Sequence, residues 1–213
     1  MWNIQQFTFN PFQENTYLAY NANQEGFIID AGNSEPAESE ILFHFIESQG
    51  IKPLGLLQTH CHIDHVLGMK SVCEKYSLKP QMHKNEEPVL ARMVNSARMY
   101  GMVYTAYSGD WSELEEGQLL KAGDDELKVL YVPGHAPGHV AFYCAAQNFV
   151  IGGDVLFDGS VGRTDLPGAN HEVLMRSIRT QLYTLPDETI VYPGHGGATT
   201  IGKEKKTNPF VRG

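Results

Sequence analysis

Residues 59–65 read Thr-His-Cys-His-Ile-Asp-His, so three imidazoles and a carboxylate fall within six consecutive positions. The cluster sits between Pro53–Gln58, an apolar run that reads as a strand, and Val66–Tyr76, whose spacing reads as a helix. So short a connection stays close to a core, where a polar group without a partner costs on the order of a few kcal/mol. A divalent cation removes the conflict, because neutral imidazole and carboxylate both suit zinc, iron and manganese.

Three later segments add donors of the same kind. Pro133-Gly134-His135-Ala136-Pro137-Gly138-His139, Ile151-Gly152-Gly153-Asp154 and Tyr192-Pro193-Gly194-His195-Gly196 each follow a strand-like run. Loops at strand ends are where a rigid scaffold displays chemistry. Together these donors exceed the positions of one tetrahedral ion, so the ligands are expected to divide between two.

The surrounding pattern predicts layers of strands and helices. Trp2–Phe9, Thr16–Tyr20 and Gly26–Ile29 read as strands. A helix follows, with Ser34 as its cap, Pro36 in the first turn, an apolar stripe of Ile41, Leu42, Phe45 and Ile46, and Gly50 at its end. Lys79–His83 predicts a short strand and Glu86–Tyr100 a helix, with Met93 and Tyr100 packed in the core and the stretch beyond Gly101 a lid candidate. Leu127–Val132, Val140–Cys144, Phe149–Ile151 and Thr189–Tyr192 predict strands, and His171–Tyr183 a helix. Two strand groups, each with helices, suit two sheets packed face to face with helices outside.

Composition removes several alternatives. The formal charge is −9, from 16 Lys+Arg against 25 Asp+Glu, which argues against binding nucleic acid or an anionic membrane through phosphate neutralisation. The start, MWNIQQFTFNPFQEN, lacks the basic and apolar regions of a secretory signal, and no stretch approaches the ~20 apolar residues of a membrane span. Cys61, Cys73 and Cys144 are odd in number and form no C-x-x-C pair, so neither a disulfide framework nor a thiolate zinc site is expected. A cytoplasmic protein is the expectation.

The motifs T-H-C-H-I-D-H, G-H-A-P-G-H, G-G-D, G-R-T-D and P-G-H-G, in that order and followed by Thr207-Asn208-Pro209-Phe210, resemble the metallo-β-lactamase-fold hydrolases over essentially the whole chain. The resemblance is closest to the compact bacterial glyoxalase II-like proteins. It implies an α/β fold of the αββα four-layer sandwich type, as one domain over residues 1–213. The C-terminal helical domain of longer glyoxalase II enzymes is not expected, since about eighteen residues follow His195. The family pattern makes His60, His62 and His135 ligands of one metal. Asp64, His65 and His195 hold the second, and Asp154 bridges both. His139 is then a supporting or packing residue, and Cys61 is structural.

The resemblance implies a thioesterase of the hydroxyacylglutathione type. Two divalent ions, zinc first and iron or manganese also compatible, would lower the pKa of a shared water toward neutrality. Asp64 and Asp154 are the candidate catalytic residues. A thiol of pKa near ~8.5 leaves as thiolate without a dedicated acid. Arg163 and Asp165 of G-R-T-D are the substrate candidates: either Arg163 clamps a substrate carboxylate, or the two pair internally and order the loop. The expected partner is a small acyl-thiol, and a homodimer stays open. The main alternative is a persulfide dioxygenase using one iron on His60, His135 and Asp154, against which the retained His139 counts. A lactonase or other ester or amide hydrolase is a further alternative.

Overall fold

In the computed structural model, which describes residues 1–213, the chain divides into two units: residues 1–114 with 121–125, and residues 115–120 with 126–213. The first opens as an antiparallel meander of β1 (Asn3–Phe9), β2 (Glu14–Tyr20) and β3 (Glu25–Ile29), with Phe9 opposite Glu14 and Tyr17 opposite Ile29. Helix α1 (Pro36–Ser48) then returns the chain to β4 (Lys52–Leu57), parallel to β3. Leu42 and Ile46 of α1 are buried, but Ile41 is 56% exposed. At 100° per residue Ile41 lies about 120° from the midpoint of those two positions, outside the buried stripe. The N-cap is Glu35 rather than the expected Ser34. Glu38 explains the shift, because its carboxylate accepts from the Ser34 amide at 2.6 Å and the Ser34 hydroxyl at 2.9 Å.

The expected helix over Val66–Tyr76 is two pieces, α2 (Ile63–Val66) and α3 (Met69–Tyr76), so helical backbone starts inside the histidine motif. Strand β5 (Pro80–Met82) follows, parallel to β4. The single helix expected over Glu86–Tyr100 is a 3₁₀ turn at Lys84–Glu86, then α4 (Glu87–Leu90) and α5 (Met93–Met99). Pro88 in the first turn of α4 suits a helix start and not a helix interior. Met93 is buried as expected, whereas Tyr100 is 52% exposed and stands edge-on to Phe12. The irregular stretch beyond it leads to β6 (Ser112–Glu113), completing the order β1-β2-β3-β4-β5-β6.

The second sheet is built from β7 (Leu119–Ala122), β8 (Asp125–Tyr131), β9 (Val140–Cys144) and β10 (Phe149–Gly153). A hairpin of β11 (Leu156–Phe157) and β12 (Ser160–Val161), helix α6 (His171–Ser177) and a wide turn at Ile178–Leu182 precede β13 (Ile190–Pro193) and β14 (Thr199–Thr200). Helix α7 (Ile201–Thr207) is the last element, and the sheet order is β14-β13-β10-β9-β8-β7.

Strand direction decides where chemistry collects. In the first sheet β3, β4 and β5 run parallel, and β1 shares their direction because β2 opposes both β1 and β3. In the second, β8 and β10 both oppose β9, and β13 is parallel to β10. Each sheet thus presents several carboxyl strand ends along one edge, the place where open α/β sheets bind ligands. No helix is long and apolar enough to cross a membrane.

Candidate metal centre

The first unit carries His60, His62, Asp64 and His65 on the turn leaving β4 and on α2. His60 and His65 are fully buried, with ring centroids 4.1 Å apart, and the His60 and His62 rings meet edge-on at 4.7 Å. The group that organises them was missed in the sequence. Asp30 follows β3 directly, is 1% exposed and takes a left-handed backbone with φ 53°, which Asp tolerates better than most residues. Its carboxylate accepts from the Thr59 amide at 2.7 Å, the Thr59 hydroxyl at 2.6 Å and His65 Nδ1 at 3.0 Å. Because the Thr59 hydroxyl donates to Asp30, it must accept from His60 Nδ1, 3.1 Å away. One carboxylate therefore places the proton on Nδ1 of two imidazoles and the lone pair on Nε2. That is the tautomer in which a histidine ligates through Nε2, with its other nitrogen held by an outer partner. The donor atoms of Asp30, His60 and His65 lie within 4.8 Å of one another.

Other buried groups hold the loop. The Glu86 carboxylate accepts from the Cys61 amide at 2.7 Å, fixing the backbone between His60 and His62. Asn10, in the β1–β2 turn, donates to the Gly32 carbonyl at 2.9 Å and the Asp64 carbonyl at 3.0 Å. Glu14 lies 3.8 Å from His65 Nδ1, and burial pushes its carboxyl well above the usual range. Burial also raises the Cys61 thiol, with the Glu86 and Asp30 carboxylates adding to the effect, and its Sγ rests 3.5 Å from Met82 Sδ. Both effects favour the neutral thiol at Cys61, and the candidate donors beside it are nitrogen and oxygen. The sequence signal for Asp30 was a carboxylate at a strand end, the same signal that singled out Asp154.

The second unit carries His135, Asp154 and His195 at the ends of β8, β10 and β13. Asp154 Oδ2 is 3.6 Å from His135 Nε2 and 3.5 Å from His195 Nε2. Two donors bound at about 2.0–2.1 Å to one tetrahedral ion lie roughly 3.3–3.5 Å apart, so the spacing fits ligands that share a cation. His135 Nδ1 donates to the Arg163 carbonyl at 2.8 Å, which again leaves the lone pair on Nε2. His139 Nε2 accepts from the Asp154 amide at 3.0 Å, the supporting role expected of it. Gly134 has φ +133°, and a Cβ there would come within 2.3 Å of the Leu174 backbone. Only glycine lets the His135 loop seat against α6.

Arg163 and Asp165 form a bidentate pair, Nε to Oδ1 at 2.7 Å and Nη2 to Oδ2 at 2.8 Å, with both side chains more than half exposed. Its hydrogen bonds from Arg163 hold the Asp165 carboxyl down at about 2. The internal pairing is thus what the structure contains, and the backbone carbonyl of Arg163 contacts a candidate ligand directly.

The family model of the metallo-beta-lactamase superfamily matches residues 9–195. The chain belongs to this superfamily, whose fold is the one expected from the sequence and whose members bind divalent metals. A hydroxyacylglutathione hydrolase, GloC of Haemophilus influenzae, is 35% identical, with 98% of each chain covered. Among solved structures, TTHA1623 in a di-iron-bound form is 40% identical, with a TM-score of 0.88 and 97% of this chain and 100% of that one covered. The BLEG-1 B3 metallo-beta-lactamase is 35% identical, with a TM-score of 0.90 and 99% and 100% covered.

Proposed function

We propose that the two ligand groups form one dinuclear centre that hydrolyses a thioester of the hydroxyacylglutathione type. His60, His62 and His135 would hold one ion, Asp64, His65 and His195 the other, and Asp154 would bridge. The observation that carries this reading is the tautomer control: Asp30, directly and through Thr59, and the Arg163 carbonyl set His60, His65 and His135 to offer Nε2. When bound, two divalent ions lower the pKa of a shared water toward neutrality and polarise the carbonyl under attack. The protein's own share is orientation and proton handling. Asp64 holds a carboxylate oxygen 3.6 Å from His65 Nε2, where its second oxygen can accept a proton from the attacking water. The thiol, with a pKa near ~8.5, departs as thiolate without an acid.

The similarity to GloC supports the thioester as substrate, and the equal identity to BLEG-1 makes a β-lactam the comparison to run beside it. Metal content is measured first, then hydrolysis of S-lactoylglutathione against other thioesters and a β-lactam. Two metals per chain and a preference for the glutathione thioester are expected. One iron per chain, with oxygen uptake on glutathione persulfide, would overturn the reading in favour of a persulfide dioxygenase.

A further inference from the structure

The hairpin β11–β12 lies between Asp154 and Arg163 and touches the second ligand group at three points. The Phe157 ring stands 6.4 Å from the His195 ring, centroid to centroid. Gly162 leaves the hairpin so close to the ligands that a Cβ there would sit 2.0 Å from the Asp154 carbonyl and 3.2 Å from His135 Cβ. Arg163, the next residue, supplies the carbonyl that binds His135 Nδ1. The position of two candidate ligands therefore depends on where this hairpin lies.

Strands of two residues cannot fix that position themselves, since even a full isolated hairpin is marginal in water. Leu156 is fully buried in the core and secures the base of the hairpin, while its turn is held from α7 and the residue that caps it. Glu204 is fully buried, and its carboxylate accepts from the Gly159 amide in the hairpin turn at 3.0 Å, from Asn208 Nδ2 at 2.8 Å and from the Thr199 hydroxyl. Asn208, also fully buried, donates to the Ser160 carbonyl at 3.0 Å, and its Oδ1 accepts from the Phe210 and Val211 amides. A buried carboxylate is tolerated only when its hydrogen bonds are made, so the cluster sets the hairpin in one place. Lys203 pairs with Asp158 at 2.6 Å on the exposed side, a contact worth little by itself.

We infer that Glu204 and Asn208 are positioning residues for His135 and His195, acting through the β11–β12 hairpin. The positional claim stands on these contacts, while its consequence for metal binding rests on the function proposed above. The test uses long-range ¹H–¹⁵N correlation spectra of the metal-free protein, which report the tautomer of each imidazole, together with zinc affinity by competition titration. In the wild type His135 is expected as the Nδ1–H tautomer. In Asn208→Ala it becomes a mixture and His195 shifts, with His60 and His65 unchanged, and zinc affinity falls at least about tenfold. Glu204→Gln, which keeps one acceptor oxygen, shows the same pattern more weakly, and Phe157→Ala moves His195 alone. Unchanged His135 and His195 signals in the folded variants would overturn the inference, as would equal displacement of His60 and His65. Should Asn208→Ala not fold, Glu204→Gln and Phe157→Ala are judged by the same criterion. A wild type that binds neither zinc, iron nor manganese sinks the metal reading, while the spectra still decide the hairpin's role.

Discussion

The two groups of candidate ligands reach the same histidine tautomer by different means. In the first unit the acceptors are side chains: Asp30 holds His65 directly and His60 through Thr59, with Glu86 bracing the loop between. In the second the acceptor for His135 is a backbone carbonyl, which no substitution of Arg163 removes. Side-chain support concentrates the dependence of several ligands on one residue. Backbone support moves that dependence to whatever positions the chain.

The contrast orders the predictions. Asp154→Ala is expected to have the largest effect, abolishing the thioester hydrolysis proposed above and lowering bound metal, as measured by metal analysis beside turnover. Unchanged values for both would mean the site is misassigned. Asp30→Asn comes next. It keeps the shape but weakens the acceptor for Thr59 and His65, so metal affinity should fall about 10–100-fold, and His60 and His65 should both leave the Nδ1–H tautomer while His135 keeps it. Movement of all three would break the contrast between the groups. Glu86→Ala leaves the buried Cys61 amide unsatisfied and should cost about 1–3 kcal/mol in denaturant unfolding, with Glu86→Gln recovering most of it.

Arg163→Ala should leave His135 in place, because the carbonyl remains, so a large drop in metal affinity would show that the guanidinium matters to the ligand after all. The Asp165 carboxyl, held at about 2 by hydrogen bonds from Arg163, gives this pair a pH signature. Its folded value lies below the unfolded value near ~4, so loop ordering is fully present above about pH 4 and is lost as pH falls toward 2. A carboxyl titration by NMR should show this, and Arg163→Ala should return Asp165 toward its ordinary value. Ile41→Ser, on the exposed edge of α1, should change stability by no more than about 0.5 kcal/mol. Leu42→Ala, on the buried side, should cost about 2–5 kcal/mol.

The sequence made the donors legible because His and Asp at strand ends, among Gly and Pro, carry their own signal. Strands β1 to β4 and β8 to β10 were legible from alternation and apolar runs. Helix boundaries were less so. The start of α2 inside the histidine motif has no apolar periodicity to announce it, and the break at Pro88 was outweighed by Val89, Met93 and Ala97 at helical spacing. Asp30, despite its place at a strand end, and Glu204 were passed over for another reason. Nothing in a lone carboxylate says that three donors converge on it, from Thr59 and His65 at Asp30 and from Gly159, Thr199 and Asn208 at Glu204. That information exists only once the chain has folded.

The order of the ligands along the chain has a consequence for how the protein is made. The 60–65 cluster precedes Glu204 and Asn208 by about 140 residues, and Asp30 and Thr59 lie earlier still. At roughly 5–20 residues per second, the ribosome delivers the imidazoles of the first group about 7–28 s before the anchor of the second. The first unit is closed by residues 121–125, so its candidate ligands and their Asp30 support are all synthesised well before Glu204 and Asn208. If the centre proposed above binds metal, the first group's donors would therefore be available to a cation before the second group's anchor exists.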